Sequence, residues 1–222
     1  MTGDLALLRL LQIFDSQFPV GAFAHSGGLE TYADAGLDLP GLRSLLTNEI
    51  ELGWGRADLG AAVAAWREAS GPQASERLEA LARRVEAYKV VPSVRDTSLR
   101  LGRRMLSLLA RLYPDLAIPG LSHPHYAVVA GTVGRRLDIP RRELALAFGQ
   151  SLVMSSLAAA TRCMRVSPAQ AQGLVVELQP WLVRAVDRIP EDVGPDALYT
   201  CTPALDIRSH QQAFLHTRLF QS

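Results

Sequence analysis

Lysine is nearly missing from this sequence: Lys89 stands alone, and every other fixed cation among the 23 basic residues is arginine. Arginine meets carboxylates in a planar fork and suits interfaces better than lysine does; codon usage in a GC-rich genome gives the same excess. Cysteine is scarce too. Cys163 and Cys201 lie far apart and outside any C-x-x-C pattern, which argues against a disulfide framework and a cysteine-built zinc site. No charge of one sign dominates. With 23 Lys+Arg against 22 Asp+Glu the formal net charge is +1, so neither nucleic acid nor anionic membrane is expected as the main partner. The apolar N-terminal run has no basic start and carries Asp4 and Arg9, unlike a signal peptide. No window of membrane-span length is expected to be free of charge. These absences point to a cytoplasmic protein.

What is abundant is leucine (35) and alanine (30), against only 6 isoleucines. Unbranched side chains lose little rotamer freedom in a helix, so this composition favours helix over sheet. Leu5, Leu8 and Leu11 follow Asp4, a candidate N-cap, at helical spacing. Pro40 opens a stripe of Leu42, Leu45, Leu46, Glu49 and Ile50. Further stripes are Leu59, Val63 and Trp66; Leu78, Leu81, Val85 and Tyr88; and Leu101, Met105, Leu108 and Leu112 before Pro114. A long segment from Pro140 to about Cys163 has a middle rich in Gly, Ser and Ala, which lets a neighbouring helix approach closely. Ser167-Pro168 reads as an N-cap followed by proline at the first helical position. Residues 190–204 read as a loop, and a last helix starts near Leu205. There is no period-2 strand, fixed repeat or linker. The predicted fold is all-α, a single-domain bundle of about ten helices over residues 1–222.

Two stretches invite chemical readings. Ala24-His25-Ser26-Gly27-Gly28 is an alanine variant of the nucleophile elbow G-x-S-x-G and suggests, as an alternative, a small serine hydrolase using Ser26. That chemistry needs a preceding strand and a βα frame, and neither is expected here. Without them, the glycines permit turns, Ser26 is a candidate cap for the helix carrying Leu29 and Glu30, and phosphate binding at those amides is conceivable. No G-x-x-x-x-G-K-[ST] motif is present, so the chain is not expected to be a P-loop nucleotidase. His123 with His125, and His210 with His216, lack acidic or cysteine partners at ligand spacing, and no dedicated metal centre is expected. Arg95, Arg100, Arg103 and Arg104 are the nearest approach to a DNA-reading helix. They share it with a leucine core stripe and are expected to form a solvated or ion-paired face. The last helix ends in Leu219-Phe220. An apolar pair there either tucks into its own core or meets another chain.

Together these residues resemble the urease accessory protein F family over nearly the whole length. Pro19-x-Gly21-x-Phe23-x-x-Ser26-x-Gly28-Leu29-Glu30 is similar to that family's PxGxFxxSxGLE signature. Similar too are Arg100-Leu-Gly-Arg-Arg104, His123-Pro124 before an apolar helix, the small-residue helix with Arg162 near its end, and Leu205-Asp-Ile207 followed by Arg218-Leu-Phe220-x-Ser222. The resemblance implies an all-helical homodimer without catalytic activity or a cofactor of its own. It implies partnership with urease accessory proteins D (H in some species) and G, the latter a P-loop GTPase. That complex delivers nickel to apo-urease, with nickel and GTP acting through the partners and no role for nucleic acid or membrane. Ser26, Glu30, Arg162, Arg218 and Phe220 carry over as partner-binding or framework positions. For Glu30 and Arg162 an ion pair or cap between helices is the competing role. The sequence departs from the family at His210-Gln211-Gln212-Ala213, where a Met-x-His-Glu run is usual, so no polar role transfers to those positions.

Overall fold

The computed structural model describes residues 2–22, 25–215 and 219–220. Among them are ten α-helices and no strand: α1 (Thr2–Ile13), α2 (Leu29–Asp34), α3 (Leu39–Leu52), α4 (Trp54–Glu68), α5 (Ala74–Tyr88), α6 (Pro92–Leu112), α7 (Tyr126–Arg136), α8 (Arg141–Cys163), α9 (Pro168–Asp187) and α10 (Pro203–Gln211). Short 3-10 turns span Pro195–Ala197 and Gln212–Phe214. The all-α expectation is correct.

Local chemistry sets several boundaries. Asp38 caps α3 by accepting from the Gly41 amide at 2.8 Å, with Pro40 in the first turn. Ser167 and Gln170 form a reciprocal capping box at the start of α9 (3.2 and 2.9 Å), a device worth about 1 kcal/mol.

The centre of the molecule is α4 crossed by α7. From Leu59 to Ala65 every residue of α4 is buried, and α7 is buried from Tyr126 to Gly134. Helices that are apolar all round belong in a core. They approach closely because Gly131 of α7 rests on the Ala62 carbonyl, where a Cβ has no room. Around this pair α1, α5, α6, the first half of α8 and the end of α9 (Leu182, Val186) join one apolar cluster, with Phe148 meeting Tyr126 edge-on at 5.3 Å. The second half of α8 joins α2, α3, α9 and Phe220 in another, and Trp54 packs against both.

Three expectations need correction. Asp4 lies in the first turn of α1 rather than capping it, and the buried face is Ala6, Leu10 and Ile13, while Leu5, Leu8 and Leu11 face solvent. In α6 the inward residues include Leu101, Met105 and Leu109, with Leu112 exposed. Residues 144–161 of α8 carry no charge, so one helix among the described residues is long and apolar enough to cross a membrane; its mean hydropathy is 1.4 over an 18-residue window. Here α8 lies against α9, α2 and α4 as a core helix.

Candidate functional site

The segment before α2 is built to hold the end of the chain. At its start, Gly21 takes φ +83°, a left-handed value that only glycine adopts without strain, and Arg104 donates to the Val20 carbonyl at 3.4 Å. Phe23 and Ala24 lie outside the described residues. His25 places Nδ1 3.5 Å from the Thr97 hydroxyl. Burial, then the charges of Arg100 and Arg104, lower its pKa to about 4, so it is neutral at physiological pH.

The next turn meets α10. Ser209 donates its hydroxyl to the Gly27 carbonyl at 3.1 Å, and the Gly28 amide donates to Gln212 Oε1 at 3.1 Å. Gly28, at φ +89°, is the N-cap of α2, and a Cβ there would sit 3.0 Å from the Ser209 amide nitrogen. Glu30 is buried with both carboxylate oxygens engaged. Oε2 accepts from Gln212 Nε2 at 3.0 Å and Oε1 from the Leu219 amide at 2.5 Å. One carboxylate thus ties the C-terminal segment to the start of α2. Phe220 follows into the second apolar cluster, 6% exposed, with the Arg162 guanidinium 6.0 Å from its ring centre. Of the two options open for the Leu-Phe pair, Phe220 tucks in and Leu219 stays exposed. Arg218 lies outside the described residues.

Behind the turn is a cavity of about 250 Å³ whose wall includes Ser26, Leu46, Glu49, Trp54, Leu152 and Asp206. Lys89 closes one side, its Nζ 2.9 Å from Asp58, which also accepts from the Tyr88 hydroxyl at 3.3 Å. Glu49 is 7% exposed. Burial raises its pKa to about 7; a hydrogen bond from Thr202 opposes the rise, and the charges of Asp206 and Asp58 add to it. Glu49 Oε1 and Ser26 Oγ are both buried without a hydrogen-bond partner. Ser26 is therefore not the side-chain cap expected for α2; that place belongs to Gly28.

This geometry lacks what Ser26 would need as a nucleophile. Its hydroxyl bonds no histidine, and no strand leads into the turn among the described residues. His125 is the N-cap residue of α7 and is fully buried, 3.2 Å from the Ser98 hydroxyl and with pKa about 4, chiefly from burial. His123 faces Glu86 at 3.5 Å and Glu79 at 3.9 Å, acidic neighbours that no local spacing announced. No group of three His, Cys, Asp or Glu side chains able to hold a metal ion occurs among the described residues. The Cys163 thiol is raised to about 11 by burial and by Glu30.

The sequence singles out Ser26, Glu30, Arg162, Arg218 and Phe220; of those the structure describes, Glu30, Arg162 and Phe220 meet at the docked C-terminus. Sequence reasoning missed Gln212, Ser209, Glu49 and the Lys89–Asp58 pair. Gln212 was legible only as a departure from a familiar run.

A family model described as UreF matches residues 38–179, from α3 into α9. A urease accessory protein UreF of Mycolicibacterium vanbaalenii is 34% identical over 221 residues, 98% of this chain and 99% of the relative. Another from Pseudoalteromonas translucida is 30% identical over 237 residues, 100% of this chain and 96% of the relative. A third, from Geobacillus kaustophilus, is 29% identical over 225 residues, 99% of each. The family model begins after the Pro19–Glu30 turn, whereas these alignments run through the turn and the C-terminal segment it holds.

Proposed function

Because the chain belongs to the UreF family of urease accessory proteins, we propose that it serves urease maturation as a non-enzymatic bridge. On this reading it joins the D/H-type accessory protein to the G-type GTPase, and the assembly delivers nickel to apo-urease at the expense of GTP. It does so as a cytoplasmic homodimer. Nickel is cargo here, and nucleotide chemistry belongs to the GTPase. The observation that carries the reading is similarity over the whole chain to urease accessory proteins.

Surface chemistry supports it. Leu5, Leu7, Leu8 and Leu11 of α1 and Phe214 and Leu219 near the C-terminus are exposed. A run of large apolar residues left in water marks a protein-binding face. The Glu30–Gln212 latch supports a framework role for the turn, since it fixes how that terminal segment is presented.

Co-purification with the D/H-type protein of the same organism tests the bridge. The expected result is a stable complex with the full chain and its loss when the chain is cut after Gln212. The cut removes Leu219 and Phe220 but leaves α4 and α7 to keep the remainder soluble. A full chain that stays alone beside a well-folded partner contradicts the reading. A complex that survives the cut places the anchor elsewhere than the C-terminal segment.

A further inference from the structure

Several arginines of this nearly neutral protein are matched to acids. Arg43 meets Glu177, Arg77 meets Glu68, Arg141 meets Glu191, Arg142 meets Asp187 and Arg188 meets Glu51. Helix α6 gathers onto one face four that are not. Arg100, Arg103, Arg104 and Arg111 form no ion pair among the described residues, contrary to the ion-paired alternative expected from sequence; their bonds go to the Thr97 hydroxyl and the Val20 carbonyl. At 100° per residue all four fall within roughly 100° of one another, over about 16 Å of helix. Arg103, Arg104 and Arg111 are exposed and border a depression floored by Pro19, Ser107 and Leu108.

Two features mark this stripe as more than a solvated face. The Val20 carbonyl beside the left-handed Gly21 holds Arg104 in place, so the turn that latches the C-terminus also orders one end of the stripe. Apolar surface borders the other end: Leu112 is exposed, and α1 reaches α6 where Gln12 accepts from the Tyr113 hydroxyl at 2.7 Å, bringing the exposed Leu8–Leu11 turn nearby. Arginine interleaved with apolar side chains is the composition of a protein interface.

We propose that the α6 arginine stripe docks a carboxylate-rich segment of a protein partner, each guanidinium fork taking a carboxylate. A protein is favoured over nucleic acid because the stripe is short, is bordered by leucine, and sits on a chain of net charge +1. The inference rests on the maturation reading only for the choice of natural partners.

The test compares the full-length chain with Arg103→Glu/Arg111→Glu and the milder Arg103→Gln/Arg111→Gln. Neither pair touches the Glu30 latch, and circular dichroism melts confirm folding. Poly-L-glutamate is the first probe and a short DNA duplex its counterpart. The D/H-type protein, the G-type GTPase and apo-urease follow. The wild type is expected to bind poly-L-glutamate in a salt-sensitive way, and one of the three proteins as well. Charge reversal is expected to weaken both at least tenfold, with the glutamine pair intermediate. Equal binding by wild type and variants, or a wild type that prefers DNA to poly-L-glutamate, overturns the proposal. Failure of the wild type to bind any of the three proteins while it still binds poly-L-glutamate counts against the maturation reading and not the stripe.

Discussion

At the scale of single residues, Glu49 and Glu30 show what burial does to a carboxylate with one oxygen unpartnered and with both oxygens bonded. Glu49 titrates near 7 in the fold against 4.5 unfolded, so the native chain binds the extra proton between those values. Its contribution to stability therefore falls as pH rises through that window and is flat above it; the full loss is about 3 kcal/mol. His25 and His125 act in the opposite sense. Both are held near 4 against 6.5 unfolded, so stability falls as pH drops from 6.5 toward 4. Comparison with Glu49→Gln cancels the histidines. In denaturant unfolding the variant should gain about 2 to 3 kcal/mol near pH 8 and little near pH 4.5. A gain independent of pH contradicts the assignment.

Glu30 is the satisfied case. Glu30→Ala leaves the Gln212 amide and the Leu219 N–H without acceptors, a loss of about 1 to 3 kcal/mol confined to the C-terminal latch. Hydrogen exchange should quicken at residues 209–220 while α4 and α7 keep their protection; unchanged exchange there contradicts the latch.

At the scale of elements, helices were legible from sequence and their faces were not always so. The α3 stripe and the Ser167 cap stand because proline and capping residues fix the start and one face alone is apolar. In α1, Leu5, Leu7, Leu8, Leu10 and Leu11 crowd every side, so periodicity cannot choose, and packing chooses Ala6, Leu10 and Ile13. Urea unfolding should separate the faces. Leu10→Ala should cost about 2 to 4 kcal/mol and Leu8→Ser/Leu11→Ser about 0.5 or less. The serine pair should instead weaken partner binding. Equal destabilisation by both changes contradicts the orientation of α1.

The cavity was illegible for a different reason. Ser26, Glu49, Lys89 and Asp206 are scattered over the chain, and only the packing of the turn before α2, α3, the end of α5 and α10 brings them to one cavity. The same holds for Gln212: its two partners are more than 180 residues away in sequence.

At the scale of the whole molecule, near-zero net charge conceals an uneven surface. Acids pair with some of the arginines and leave a cluster on α6 without an ion pair among the described residues, while leucine is left in water on α1. Such a surface suits a protein that meets several others without general attraction to polyanions. The role in maturation comes from resemblance along the chain. The structure contributes a latched C-terminus, an exposed leucine face and an arginine stripe through which such a role can operate.

The most direct test is nickel itself. Urease is produced from its structural genes with the D/H- and G-type accessory genes of the same organism, with and without this chain, and nickel per purified urease active site is measured. The account predicts loaded, active urease when the chain is present and largely nickel-free enzyme when it is omitted. Equal nickel content in the two preparations would contradict it.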